Sequence, residues 1–184
     1  MELDKAINSR KSVKKFKDKK PDWREIIECI DVMRCAPMAG NSFTLKFILV
    51  DDKEKIKKIS EAAQQSFITQ ADYVLVVCSN NSRIINSFGK KGEIYSRQQA
   101  GAAIQNFLLK IQEKNLATCW IGHFVEEQIR RELRIPDNIN IEAVFPVGYA
   151  STLGKPKRKI SLDEVLYFNK YKNKKMRNPK KVDV

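Results

Sequence analysis

Four short stretches of the chain contain residues that could bind a ligand or take part in chemistry. The first runs from Ser9 to Ser12 as SRKS, with Lys14 close behind. Arginine, lysine and a hydroxyl group suit a phosphate, because charge-assisted hydrogen bonds to phosphate are strong and specific in geometry. A solvated basic turn would have the same composition, so this stretch alone leaves both interpretations open.

The second stretch is APMAGNS, residues 36–42. Pro37 disfavours a helical conformation in the residue before it and so ends a helix. Gly40 permits a positive φ, which lets the backbone turn sharply and leave its N–H and C=O groups free. Such a loop can line a ligand, or it can simply connect a helix to a strand.

The third stretch, TCWIGHF at 118–124, contains His123, the single histidine of the chain. Gly122 at a strand end would let a planar ligand approach the backbone and accept a hydrogen bond from its N–H; a turn glycine is the alternative. No acidic partner or nucleophile is spaced to make His123 catalytic. We therefore expect His123 to be a partly buried, hydrogen-bonding side chain.

The fourth stretch is GKPKRKIS, residues 154–161. Alternate residues of an extended segment point the same way, so Lys157 and Lys159 could face one anion while Arg158 faces away. Ordinary charge in a basic tail is the alternative.

The net charge of +13 allows partners as different as nucleic acid, an acidic membrane surface and small anions. A hydrophobic content of 42% indicates a globular chain. No apolar run approaches the ~20 residues of a membrane span, and the start lacks a signal-peptide core, so we expect a cytoplasmic protein. The dinucleotide-binding, Walker A, nucleophile-elbow and HExxH strings are absent from the sequence.

The four cysteines form no C-x-x-C pair, and with one histidine no metal site is expected. Three of them lie in apolar patterns, which predicts buried thiols: Cys29, Cys78 and Cys119.

Helical and strand patterns alternate along the chain. Apolar spacing predicts a helix that begins after Asp22 and stops near Cys35, and a long helix from Ile94 to Lys114 that ends at Asn115. DYVLVVCS, almost wholly apolar, predicts a strand buried on both faces. With further strands at KFILVD, LATCWIG and IEAVFPVGYA, the pattern indicates an α+β or α/β sandwich, one sheet between helices.

Taken in order, these pieces resemble the nitroreductase family, whose members carry FMN at a dimer interface. AINSRKSVKKF is similar to the R-R-S-x-R-x-F start of the family, and APMAGNSFTLKFILV to its A-P-S-A-x-N-x-Q-P-W-x-F-x-V segment. The run from AGAAIQNF to VFPVGYAS resembles its central helix, its G-x-C-W-I-G strand and its last strand. GKPKRKISLDEV resembles its basic arm.

The resemblance implies a mixed, mostly antiparallel sheet flanked by helices, with an extended C-terminal arm. It implies one FMN-binding domain over residues 1–171, which includes the arm from about 151, and a basic tail over 172–184. Gln99 stands where the family commonly has aspartate, and Met38 where it has a small hydroxyl residue.

The resemblance also implies the flavin contacts. Arg10, Lys11 and Ser12 would hold the phosphate and ribityl chain, and Lys14 would stabilise the negative charge that reduced flavin carries near N1 and the C2 carbonyl. Ile121 and Gly122 would lie beside the isoalloxazine, with a backbone N–H directed at N5. The remaining implied contacts are a loop from the other subunit and the rest of the phosphate site: Pro37, Met38, Ala39 and Asn41; Lys157, Arg158 and Lys159.

The implied activity is an FMN-dependent oxidoreductase, a homodimer that passes hydride from NAD(P)H through flavin N5 to a small acceptor such as a nitroaromatic or a quinone. The flavin would do the hydride chemistry, so no catalytic acid or base is expected from the protein. A flavin-dependent dehalogenase is one alternative. A basic nucleic-acid-binding protein without cofactor is another, for which the aromatic residues Tyr167, Phe168 and Tyr171 beside the lysine tail are the only hint.

Overall fold

A computed structural model of the chain describes residues 1–152 and 159–176. It contains two compact units, Met1–Gly154 and Lys155–Val184. Among the described residues, no helix combines the length and the apolar composition that a bilayer crossing requires.

The first unit is a four-stranded antiparallel sheet between two layers of helices, in the strand order β1-β2-β4-β3. This confirms the predicted mostly antiparallel sheet flanked by helices. The strands are β1 (Leu45–Val50), β2 (Tyr73–Ser79), β3 (Ala117–Thr118) and β4 (Asn140–Gly148). The helices of this unit are α1 (Leu3–Ser9), α2 (Trp23–Asp31), α3 (Lys53–Ala63), α4 (Ser82–Phe88), α5 (Lys91–Glu113) and α6 (Glu126–Leu133).

Two cores cover the two faces of the sheet. On one face α2 and the long α5 pack against the strands around Phe107 and Phe145, whose rings meet edge-on with centroids 5.4 Å apart. On the other face α3 and α6 pack around Ile59 and Ile129. β2 is buried along its whole length, as its apolar sequence predicts.

Local signals in the sequence set several of the boundaries. The carboxylate of Asp22 accepts a hydrogen bond from the N–H of Arg24 and caps α2, which ends in a 3₁₀ turn at Val32–Cys35. Asn115, with φ +57°, follows α5 as the predicted left-handed residue.

The strand predicted at LATCWIG is shorter than expected. Thr118 pairs with Val147, and Ile121 pairs with Val144 in the same register, but the ladder between them is interrupted. Pro146 lies opposite this gap and has no N–H to donate, so a continuous ladder is impossible there.

The polar run NNSRIINSFGKKGE, residues 80–93, with glycines at 89 and 92, predicts a connection, but it contains the short helix α4. It packs so closely on the start of α5 that a Cβ atom at Gly92 would lie 2.6 Å from the carbonyl oxygen of Ile84. Glycine at this position is what allows the two helices to meet.

Candidate functional site

The basic segment, Arg10–Lys14, is an extended piece of chain fixed to the end of the sheet. The N–H of Val13 donates to the carbonyl oxygen of Thr118 at 2.9 Å. Because the Val13 side chain is buried, its neighbours Ser12 and Lys14 lie on the exposed side of the segment. The backbone is therefore held by the sheet, and Ser12 and Lys14 lie where a ligand can reach them.

A cavity of about 390 Å³ opens beside this segment. Three cationic residues line it: Arg10, Lys11 and Lys17. Its other described walls come from the end of α5 and the strand ends around Tyr149, and no carboxylate is among them. Positive charge beside an apolar wall suits an anion with an organic portion.

Lys17 was not among the predicted site residues. Its N–H donates to the carbonyl oxygen of Tyr149 at 2.8 Å, which continues the attachment of the chain to the strand ends. In the sequence it is one lysine of a basic run, and only the pairing of this run with residues 149–151 shows that it shares a cavity with Arg10.

Lys14 lies over an aromatic ring rather than beside an acid. Its Nζ is 5.3 Å from the ring centroid of Phe67, a residue of the 3₁₀ helix Ser66–Gln70. The same helix holds the basic segment through Gln70, whose side-chain oxygen accepts from the N–H of Phe16 at 3.2 Å. A cation held by a ring keeps its full charge for an anionic ligand.

The strand end at Ile121–Gly122 offers open backbone. Ile121 is buried, and its N–H and C=O both bond to Val144 at 3.0 Å, so neither group is available to a ligand. Gly122 is exposed, and a Cβ atom there would meet only Trp120 Nε1, at 3.8 Å. Within the described part of the chain the Gly122 N–H has no acceptor, which makes it the N–H of this pair that a planar ligand could reach.

His123 is exposed and makes no hydrogen bond or ion pair with any residue that the structure describes. The expectation of a partly buried, hydrogen-bonded His123 is therefore wrong. The strand leaves the core after Ile121, so the side chain that follows Gly122 is directed away from the packed sheet.

The loop at Pro37–Asn41 is shaped by two residues with positive φ, Gly40 at +56° and Asn41 at +52°. Glycine and asparagine tolerate this conformation better than other residues do. Pro37 and Asn41 are exposed, and Met38 is half-buried against the α2–α5 core.

Gln99 of α5 anchors this loop and was noted in the sequence only as a departure from the family pattern. Its side-chain oxygen accepts from the N–H of Ala39 at 3.1 Å, and its Nε2 donates to Thr44 Oγ1 at 2.6 Å. No local signal in the sequence points to these contacts, because the partners lie 55 to 60 residues away along the chain.

The loop and the cationic cavity lie at different ends of α5. Gln99 holds the loop, whereas Gln112 lines the cavity. The lining residues of α5, from Leu108 to Gln112, follow Gln99 by nine to thirteen residues, about 14 to 20 Å at 1.5 Å per residue. The predicted residues Pro37, Met38, Ala39 and Asn41 therefore do not join Arg10 and Lys11 in one cavity of a single chain.

The basic arm lies largely outside the described residues. Lys157 and Arg158 are not described, and Lys159 is exposed. The second unit also contains the short helix α7 (Leu162–Val165) and a pair of tyrosines, Tyr167 and Tyr171, whose ring centroids are 4.9 Å apart.

The four cysteines are free thiols. Cys29, Cys78 and Cys119 are buried, as predicted, and Cys35 is exposed. Burial raises the pKa of Cys29 to about 12 and that of Cys78 to about 11, which leaves both protonated and unreactive at neutral pH.

Comparison with known proteins gives a consistent result. A relative from Archaeoglobus fulgidus, provisionally named NADH dehydrogenase/NAD(P)H nitroreductase, is 29% identical over 150 residues, 79% of this chain and 83% of its own. The iodotyrosine deiodinase of Thermotoga neapolitana is 25% identical over 183 residues, 85% and 91% of the two chains. The FMN reductase [NAD(P)H] of Bacillus subtilis is 31% identical over 83 residues, 45% and 33%.

The fold has close counterparts among solved structures. A nitroreductase family protein from Clostridium novyi NT superposes with a TM-score of 0.74 at 28% identity, covering 94% of this chain and 96% of that one. The model of the Nitroreductase family matches residues 7–69 and 62–149, which include the basic segment, the loop and the strand end. The chain therefore belongs to the Nitroreductase family.

Proposed function

We propose that this protein is an FMN-dependent oxidoreductase that passes hydride from NAD(P)H to a small acceptor such as a nitroaromatic or a quinone. The observation that carries the proposal is the cavity that Arg10, Lys11 and Lys17 line together with the apolar residues at the end of α5. A phosphate ester with a large organic portion matches this combination of cations and apolar wall.

The residues present suit FMN. Arg10 and Lys11 line the cavity with Lys17, a cation that the sequence did not predict, and Ser12 follows them on the exposed side of the segment. Arg10, Lys11 and Ser12 would hold the phosphate and the ribityl chain. Lys14, held over Phe67, would place a positive charge at the pyrimidine edge of the ring. Lys157, Arg158 and Lys159 remain proposed members of the phosphate site.

The strand end would supply the other polar contact to the ring system. The unpaired N–H of Gly122 would donate to N5, while Ile121 packs beneath as part of the core. FMN, when bound, supplies the atom through which hydride passes from NAD(P)H to the acceptor. The protein then needs no acid or base of its own, and His123 is left without a required catalytic role.

The working unit we propose is a homodimer. The loop at Pro37–Asn41 shares no lining residue with the cavity of its own chain and is anchored about 14 to 20 Å from it along α5, which favours a loop that borders the flavin of another copy. Pro37, Met38, Ala39 and Asn41 would line the flavin of the partner. We propose the cytoplasm as the compartment, which suits four cysteines that are all reduced.

The test is the absorption spectrum and steady-state kinetics of the purified protein. We expect flavin bands that NADH or NADPH bleaches and that a nitroaromatic or a quinone restores. Initial rates should give parallel double-reciprocal lines, since the two substrates would use the same open face in turn. Colourless protein that fails to bind added FMN would contradict the proposal.

A second candidate is reductive dehalogenation, which the similarity to the iodotyrosine deiodinase of Thermotoga neapolitana favours. In that reaction an aryl carbon–iodine bond becomes carbon–hydrogen and iodide leaves, with two electrons drawn from NAD(P)H. Release of iodide from an iodophenol, measured beside nitroaromatic and quinone reduction, distinguishes the two activities.

A further inference from the structure

We propose that Gln99 is a positioning residue that sets the shape of the loop at Pro37–Asn41 and thereby the affinity of the partner subunit for FMN. The inference rests on the proposed function, and it adds a role for a residue that touches no flavin itself.

Both polar atoms of the Gln99 side-chain amide have hydrogen-bond partners. Its side chain is buried, with 4% of the residue exposed. Its oxygen accepts from the N–H of Ala39 at 3.1 Å, and its nitrogen donates to Thr44 Oγ1 at 2.6 Å and, at the long limit of 3.5 Å, to the carbonyl oxygen of Ser42. One amide therefore bonds to the chain on both sides of Gly40 and Asn41.

These hydrogen bonds flank two residues with positive φ, Gly40 and Asn41. Two successive residues with positive φ are costly for most sequences and persist where the surroundings hold them. Gly40 also faces the ring of Phe88 on α4, which would lie 3.2 Å from a Cβ atom at that position. The loop is thus held between Gln99 on one side and Phe88 on the other.

The side-chain amide of Gln99 both donates and accepts hydrogen bonds. Accepting from a backbone N–H and donating to a hydroxyl and a carbonyl oxygen requires a group that does both, which glutamine does and a carboxylate does not. An ionised glutamate of the same length could accept from Ala39 but could not donate to Ser42. The glutamine is matched to a loop whose other partner is the buried hydroxyl of Thr44.

The loop that Gln99 holds would border the flavin of the other subunit. α5 holds the donated loop near Gln99 and lines its own cationic cavity near Gln112, so one rigid helix serves two different flavins. A change at Gln99 should therefore weaken the FMN site of the partner and leave the cationic cavity of its own chain intact.

The first experiment is an FMN titration of Gln99→Leu, which removes all three hydrogen bonds at nearly constant volume. Leaving buried backbone and hydroxyl groups unpaired should raise the Kd for FMN about tenfold. Thr44→Val should raise it about threefold, and Thr44→Ser, which keeps the hydroxyl, should restore affinity close to the original. Gln105→Leu, an exposed position on the same helix, is the matched control and should change nothing.

The second experiment tests whether the effect crosses the interface. Differently tagged Gln99→Leu and Arg10→Ala subunits are co-expressed and the mixed dimers isolated by both tags. In each mixed dimer, one of the two sites would combine an intact cationic cavity with an intact loop. Half of the FMN sites should therefore bind with the Kd of the unsubstituted protein. General destabilisation by Gln99→Leu could not be complemented in this way.

The outcomes separate the inference from the function on which it rests. If the unsubstituted protein does not bind FMN, the proposed function fails. If it binds FMN and Gln99→Leu binds equally tightly, the role of Gln99 is wrong. If Gln99→Leu binds weakly but the mixed dimers contain no high-affinity site, Gln99 acts within its own subunit and the inference across the interface is overturned.

Discussion

The basic segment and the loop at Pro37–Asn41 are built in opposite ways. In the basic segment the backbone is fixed to the sheet edge through Val13, and the charged side chains are half-buried at Arg10 and Lys11 and exposed at Lys14. In the loop the backbone itself forms the surface, with two positive-φ residues, and a buried side chain, Gln99, holds it from behind. A site for a charged group needs only a short exposed segment, whereas a site defined by shape needs a polar anchor in the core.

The two regions therefore respond differently to substitution. Removing a cation from the basic segment should weaken binding of the phosphate without affecting the fold, because its cationic side chains belong to none of the described core clusters. Removing the anchor of the loop should alter a surface that contains no charge. The following predictions test that division, from the largest expected effect to the smallest.

Arg10→Ala should have the largest effect on FMN affinity. A hydrogen bond to a charged group contributes about 1.5 to 3 kcal/mol, so the Kd should rise roughly 10- to 100-fold. Fluorescence titration at low and high salt measures it, and the difference from the unsubstituted protein should shrink as salt screens the charge. Lys57→Ala, an exposed cation on α3, is the control; if both variants bind alike, the cavity is not the phosphate site.

Gly122→Val should weaken FMN binding about tenfold, since a branched side chain would stand between the strand end and a planar ring. Apo stability should change by less than about 0.5 kcal/mol, because only Trp120 Nε1 lies near the new Cβ atom. Gly122→Ala should give a smaller loss. Unchanged affinity in the valine variant would place the flavin ring elsewhere.

Alkaline pH should lower the free energy of unfolding through the buried thiol of Cys29. Burial raises the pKa of Cys29, in the core beneath the loop, from 9.0 to about 12. The folded state then favours the protonated thiol, so this contribution to stability is fully present below pH 9 and is lost as the pH rises toward 12.

Chemical denaturation of the apoprotein at pH 8 to 11 measures the contribution of the thiol. Cys29→Ala should lower the starting stability through the lost packing but make the decline with pH shallower. Cys35→Ala, at the exposed cysteine, should leave the slope unchanged. Equal slopes in the Cys29 variant and the unsubstituted protein would mean that another group causes the decline.

The same division explains what could be predicted from the sequence. The capped start of α2 at Asp22, the apolar β2 and the end of α5 at Asn115 follow from residues that are neighbours along the chain. The basic segment was equally visible, since its charge and spacing are local. These are features that short-range chemistry determines.

The features that were missed depend on contacts between distant residues. The role of Gln99 depends on Ala39 and Thr44, and the break in the strand after Thr118 depends on Pro146 lying opposite. α4 was missed because seven residues with few apolar positions give a weak helical pattern. Partial burial of the His123 side chain was expected because no acidic partner or nucleophile is spaced to make it catalytic, but the chain leaves the sheet after Ile121.

His123→Ala should have the smallest effect of all. The side chain is exposed and bonds to no described residue. Its removal should therefore leave the fold unchanged and alter the Kd for FMN by no more than about twofold. Stopped-flow measurement of flavin bleaching by NAD(P)H isolates hydride transfer from the later steps, and we expect its rate to be retained. A variant that keeps FMN but is no longer reduced would show that the imidazole contacts the nicotinamide, and the open strand end would then need a side chain as well as the Gly122 backbone. A variant that is reduced normally but turns over slowly with one acceptor would instead place His123 beside the second substrate, where it would determine acceptor choice and leave hydride uptake to the region around Gly122.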